Sequence, residues 1–257
     1  MALNTPLVAL QSVTVAFGAL RAVDGVSLAV PAGQRRAIIG PNGAGKTTLF
    51  NALAGVLPTA EGRIMLRDRD ITRLRMHRRA ALGIGRTFQI TNLFAGLTVE
   101  ENLQLGAQGL SARKFSLFGS GRPDGAEVAA IEQALQDSGL AGKRHHLIRT
   151  LSYGEQRQLE LALALVNKPS LLLLDEPAAG LSPAERVKMA ALIRALPREV
   201  TLILIEHDMD LALGLVDFVT CLHFGRVLCE GAPDAIRTDE RVQEVYLGTP
   251  HRDLADA

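Results

Sequence analysis

Long apolar runs, cysteines and net charge are all scarce in this chain, and each scarcity excludes something. No run of about 18 apolar residues occurs, the least that crosses a bilayer as a helix. The longest apolar stretches, Leu159–Val166 and Leu171–Leu174, are of core length. If the protein works at a membrane, another chain supplies the membrane part. The N-terminus shows no secretory pattern. The only two cysteines, Cys221 and Cys229, lie in one apolar stretch. They read as buried thiols in a reducing compartment, with neither a disulfide framework nor metal-ligand spacing. Lys and Arg number 28 against 27 Asp and Glu, a net charge of +1. That balance argues against a protein built to coat nucleic acid. The basic run Arg73–Arg79 is local and reads as a solvated helix face, and His145-His146 as surface. No internal repeat is evident. A hydrophobic share of 47% over 257 residues supports one large core with room for an inserted lobe.

Against these absences stands one dense motif. Gly40-Pro41-Asn42-Gly43-Ala44-Gly45-Lys46-Thr47-Thr48 fits the phosphate-loop pattern at every required position. Its glycines let backbone N–H groups turn inward around phosphate oxygens. Lys46 reaches the outer phosphates as a point charge, and the Thr47 hydroxyl is placed to ligate a phosphate-bound magnesium. Arg36–Ile39 reads as a buried strand entering the loop, and Thr47–Ala54 as the helix leaving it. The helix N-terminus then adds about half a positive charge at the phosphates.

The rest of the chain alternates in the same sense. Leu7–Phe17, Val26–Val30 and Gly62–Leu66 read as strands, with a turn at Pro31–Gly33. Early strands of this kind predict a small antiparallel layer beside an α/β core. Thr98 with Glu101 forms a capping box that opens a helix. From there to Val166 the pattern is mostly helical, looser near 111–125. Strands resume at Leu171–Asp175, Thr201–Ile205 and Asp217–Leu222 with helices between, which implies a parallel sheet.

Leu171–Leu174 delivers Asp175 and Glu176 to the carboxyl end of a buried strand, where open α/β sheets place ligands. Asp175 suits magnesium, and Glu176 suits polarising the water that attacks the γ-phosphate. Ser152 and Glu155 admit two readings. They form a capping box for the helix that follows, or Ser152, Gly154 and the exposed N–H groups form a second phosphate site that serves another copy's nucleotide. His207, after Thr201–Ile205, is expected at the same edge as Glu176, in reach of a γ-phosphate. Gln89, at the exit from a short strand, could touch magnesium or water. Phe17 is a core phenylalanine or a plate that stacks on a base.

Taken together, these residues resemble the ATP-binding cassette family over essentially the whole chain. The resemblance implies a RecA-like P-loop NTPase core, an α/β fold with an antiparallel β lobe and an inserted helical lobe. The expected division is a core of residues 1–91 and 167–257 and a helical lobe of 92–166. The resemblance also implies ATP and Mg2+ as cofactors. Phe17 would stack on adenine, Gly40–Thr48 would hold phosphates, and Gln89 would sense magnesium and the transporter. Ser152, Gly154 and Glu155 would form the signature that meets the partner's ATP. Glu176 would be the general base and His207 the switch.

A finer likeness is to the ATPases of branched-chain amino-acid importers. Arg86-Thr-Phe-Gln-Ile-Thr-Asn-Leu-Phe94, Leu97–Asn102, Leu151–Glu160, Asp175–Gly180, Ile205–Met209 and Tyr246-Leu-Gly248 carry it. Tyr153 and Glu155 depart from the general signature in that subfamily's direction. Ser182 stands where many cassettes carry Asp, and Ser182-Pro-Ala-Glu185 reads as a capping box. The implied partners are a second identical or related ATPase, two permease chains and, indirectly, a periplasmic solute-binding protein, with no nucleic acid. The implied place is the cytoplasmic face of the bacterial inner membrane. Docking is expected in the cleft between the lobes, near Leu93, Phe94 and Leu97, if these do not pack within the helical lobe. The rival readings are a soluble cassette ATPase, such as an iron–sulfur assembly component, and a non-catalytic nucleotide-binding subunit. Intact Glu176 and His207 speak against the second.

Overall fold

From Pro6 to Pro31, buried valines and leucines alternate with small or polar residues. The stretch folds back on itself as strands β1 (Pro6–Phe17) and β2 (Leu20–Pro31), paired antiparallel. In β2 the side chains of Val26, Leu28 and Val30 are buried while Ser27 and Ala29 are exposed. The computed structural model describes residues 6–87, 93–109 and 125–247. Strands β4 (Glu61–Leu66) and β5 (Arg69–Asp70) complete a four-stranded sheet of order β2-β1-β4-β5. β1 bulges at Ser12, whose φ is 47°. A Cβ at Gly62 would lie 2.3 Å from the Ser12 carbonyl, so β4 passes the bulge on a glycine.

The second sheet is the parallel one. Its strands are β3 (Arg35–Ile39), β6 (Ile84–Arg86), β7 (Leu171–Asp175), β8 (Thr201–Ile205), β9 (Phe218–His223) and β10 (Arg226–Gly231), in the order β10-β9-β3-β8-β7-β6. β3 runs parallel to β9 with Ala37 opposite Val219, and β6 parallel to β7 with Gly85 opposite Leu172. Every residue of β3, β7 and β8 is buried, as parallel strands covered on both faces require. β10, at the edge, is antiparallel to its neighbour β9.

Two compact units emerge, Met1–Leu74 with Ile203–Ala257, and Arg75–Leu202. The first holds the four-stranded sheet, helix α1 (Lys46–Ala54), and the late helices α7 (Met209–Leu213), α8 (Pro233–Arg237) and α9 (Glu240–Leu247). The second holds α2 (Met76–Ala81), α3 (Val99–Gln108), α4 (Gly125–Asp137), α5 (Tyr153–Leu165) and α6 (Pro183–Ala195). Within it Val99 and Leu103 of α3, Ile131 and Leu135 of α4, and Leu159 and Ala162 of α5 form one buried cluster. Cutting a leucine of such a cluster back to alanine costs about 2–5 kcal/mol. Thr98 opens α3 with the expected capping box: its hydroxyl accepts from Glu101 N, and the Glu101 carboxylate accepts from Thr98 N.

Some sequence expectations need correction. Of the basic run, Arg73, Arg75, His77 and Arg78 are exposed, but Arg79 is buried. The helix that carries Arg79 is six residues long, too short for its sequence to mark which side turns inward. β2 starts six positions before Val26, because its pairing with β1 carries bulges that break the alternation. β10 had no strand signal of its own, yet it pairs along β9 with Cys229 opposite Cys221. Both thiols are free and buried, and burial pushes Cys221 up to about 12. Among the described residues no helix is long and apolar enough to cross a membrane.

Candidate nucleotide site

The phosphate loop is built from backbone. α1 starts at Gly45, whose φ of 96° belongs to the left-handed region, with no side chain capping the helix and no acidic residue in its first turn. A Cβ at Gly45 would lie 2.3 Å from the Ala22 carbonyl, so only glycine admits the approach of the β1–β2 hairpin. The β9–β10 turn meets the loop as well, with Gly225 N donating to Ala44 O at 3.0 Å and Gly225 O accepting from Asp24 N at 2.8 Å. Lys46 is buried, and its ammonium donates to the carbonyls of Gly40 at 2.7 Å and Pro41 at 2.9 Å. Gly40 and Ala44 are buried, Pro41, Gly45, Thr47 and Thr48 half-buried, and Asn42 and Gly43 exposed. The uncapped N–H groups, the helix dipole and one ammonium give this loop what an oligophosphate needs.

Phe17 ends β1 opposite Leu20 and is 52% exposed. The core alternative is excluded, and an aromatic face stands on the hairpin that packs against the loop. His207 lies exposed beyond β8, just before Asp208, whose carboxylate accepts from Leu211 N and caps α7. These residues share the first unit.

The second unit carries the carboxylates. Asp175 ends β7 fully buried, and its carboxylate accepts from the Arg86 guanidinium at 3.3 Å. Nothing in the motif around Arg86 marks this ionic role. Glu176 follows with φ 50°, in the left-handed region where a side chain other than glycine costs about 1–2 kcal/mol. Its carbonyl accepts from Ala179 N at 3.0 Å, closing the turn. Gln89 lies outside the described residues.

The capping reading of Ser152 has a geometry. The capping box is present: Ser152 Oγ accepts from Glu155 N, and the Glu155 carboxylate accepts from Ser152 N. Lys143 pairs with Glu155 and, as the largest influence, holds its carboxyl below the usual range. An accepting hydroxyl keeps its own proton for donation, so the cap leaves Ser152 able to serve an anion. Three contacts here are not legible in the sequence. Tyr153 accepts from Arg157 Nε at 2.9 Å, and its ring lies where a Cβ at Gly180 would approach to 3.0 Å. A Cβ at Gly154 would lie 2.3 Å from a carboxylate oxygen of Glu185. Glu185 itself closes the capping box of Ser182 at α6, as expected.

A family model described as ABC transporter matches residues 23–179, and the chain belongs to the ATP-binding cassette family. It is an ATPase of that family, with a P-loop NTPase fold that binds adenine nucleotide. A second model, the branched-chain amino acid ATP-binding cassette transporter, matches residues 226–252. The high-affinity branched-chain amino acid transport ATP-binding protein BraF of Pseudomonas aeruginosa is 39% identical over 253 residues, 96% of this chain and 99% of the relative. LivG of Escherichia coli, with the same description, is 38% identical over the same shares. The ADP conformation of MJ1267, an ATP-binding cassette of an ABC transporter, superposes with a TM-score of 0.83 at 29% identity, covering 94% of this chain and 98% of that one.

Proposed function

We propose that this chain is the ATP-hydrolysing subunit of an importer for branched-chain amino acids or related small solutes. The match of residues 226–252 to the branched-chain cassette carries that reading, with the near full-length likeness to BraF and LivG beside it. It favours a transporter over a soluble cassette such as an iron–sulfur assembly component. Phe17 stacks on adenine, and Gly40–Thr48 hold the phosphates through N–H groups and the Lys46 ammonium. Glu176 polarises the attacking water, and His207 orients the γ-phosphate and that water.

Thr47, Asp175 and Gln89 are the residues that would hold Mg2+. The donor set fits, being all oxygen, and the Asp175 carboxylate already accepts a cation's hydrogen bond from Arg86. When bound, magnesium supplies positive charge to the phosphate oxygens. The core of 1–91 and 167–257 and the helical lobe of 92–166 are the proposed working divisions.

Two cassettes, identical or related, close around two nucleotides, and Ser152, Gly154 and Glu155 of one complete the site of the other. The ATPases sit on two permease chains at the cytoplasmic face of the inner membrane, with a periplasmic binding protein delivering solute. Phe94 supports a docking role. It is exposed, and its backbone is held at both ends by buried Asn102, which accepts from Phe94 N at 2.9 Å and donates to Phe94 O at 3.2 Å. Leu93, by contrast, packs against the helical cluster.

The test is uptake. Cells from which the gene is deleted are expected to lose uptake of labelled leucine, isoleucine or valine, and the Glu176→Gln gene is expected not to restore it. Parental uptake of all three after deletion rejects this cargo class.

A further inference from the structure

Tyr246 has no part in the site described so far, yet it touches the phosphate loop. Gly40 N donates to the Tyr246 hydroxyl at 2.7 Å. Gly40 O accepts from Lys46 at 2.7 Å, so side chains hold both polar groups of the loop's first residue. Gly40 is also confined by strand β9, because a Cβ there would lie 2.2 Å from the Leu222 carbonyl. We propose that Tyr246 is a positioning residue for the phosphate loop, through which the C-terminal segment sets the affinity for nucleotide. This rests on Gly40–Thr48 being the phosphate site.

The chemistry suits a fixed anchor. Gly40 N–H lies where β3 ends, at the first residue of the Gly40–Thr48 loop. Tyr246 therefore secures the loop at its origin. Burial pushes the phenol up to about 12, so it stays neutral across the working range. The helix that carries it buries one residue and closes its own first turn. Val242 of α9 is buried, and Val242 N and Gln243 N donate to Asp239 O. The Asp239 carboxylate accepts from Arg241 N and pairs with the Arg241 guanidinium. Tyr246 lies inside the segment matched by the branched-chain model, residues 226–252, to which the nucleotide reading assigned no task.

Removing only the hydroxyl leaves a buried N–H to find another partner. Free protein can relax around that loss. Bound nucleotide requires the loop in one geometry, so the cost appears in binding. In the full chain, Tyr246→Phe is expected to weaken ATP and ADP binding roughly three- to tenfold. Turnover at saturating ATP is expected to stay within about twofold, so KM rises and kcat does not. Hydrogen exchange at the amides of 37–46 should accelerate without nucleotide. Parental affinity with unchanged exchange overturns the proposal. So does parental affinity with a lowered melting temperature, the mark of a merely structural contact. Lys46→Ala runs alongside: if it binds ATP as the parent does, the phosphate-loop reading fails. The exchange result then still decides whether Tyr246 holds the loop.

Discussion

The phosphate loop and the carboxylate region handle charge in opposite ways. In the loop, α1 begins at a left-handed glycine with neither a capping side chain nor an acid in its first turn. In the second unit, α5 and α6 both begin at a serine closed by a glutamate three residues on. The first N-terminus carries no capping side chain and strains nothing, since glycine takes positive φ freely. The second region works through side chains, and it places a glutamate rather than a glycine at positive φ. In the proposed phosphate site no side chain caps the helix that meets the ligand. If Glu176 is the base proposed, its strained backbone keeps the carboxylate at a fixed point.

Removing the loop's one side-chain charge is the severest way to break this contrast. Lys46→Ala is expected to weaken ATP binding at least about a hundredfold, because charge-assisted contacts to phosphate are lost together. A measured affinity within about threefold of the parent rejects the assignment.

Glu176→Gln should do the reverse, leaving ATP affinity intact while hydrolysis falls about two orders of magnitude, the scale of a lost positioned base. With turnover blocked, the ATP-bound dimer should accumulate in gel filtration. Normal hydrolysis would remove Glu176 as the base and make His207 the better candidate.

Two alanines sharpen the contrast between backbone and side-chain construction. Gly45→Ala drives a Cβ to 2.3 Å from a backbone carbonyl at a φ of 96°. Gly154→Ala meets an oxygen at the same 2.3 Å, but it is the tip of the Glu185 side chain. Backbone cannot yield, and a glutamate can. Thermal or urea unfolding should show a loss of about 2–4 kcal/mol for Gly45→Ala. For Gly154→Ala the expected loss is about 1 kcal/mol, the value of a disturbed helix cap. Equal losses would mean that the signature is as rigid as the loop.

How much of this was legible follows the same division. The loop, β3, α1, β7 and the three capping boxes are local patterns, readable from neighbours in sequence. The contacts that join distant segments were not. Tyr246 with Gly40, Arg86 with Asp175 and the Tyr153 ring over Gly180 pair residues 206, 89 and 27 positions apart. No periodicity encodes such pairs. Arg79 was misread because a six-residue helix carries too few turns to mark its buried face. Phe17 was undecided from sequence, since an aromatic at a strand end looks alike in a core and on a binding face.

The smallest expected effect on the isolated chain concerns the surface beside α3. Phe94 is 60% exposed while the neighbouring Leu93 packs on the helical cluster. Asn102 holds Phe94 through backbone atoms alone, so changing the ring does not touch those bonds. Phe94→Asp should therefore shift stability by no more than about 0.5 kcal/mol, as an exposed substitution does. It should also spare ATP affinity. On the permeases the same change should be severe, because a carboxylate would have to be desolvated in an apolar contact. Co-purification with permease chains and solute uptake should both fall. Leu93→Asp is the control: Leu93 is half-buried against the helical cluster, so it should destabilise by about 1–3 kcal/mol. If Phe94→Asp folds, binds ATP and still co-purifies with the permeases, docking uses another face. If it loses as much stability as Leu93→Asp, the ring belongs to the core after all, and the contrast between these two neighbours disappears.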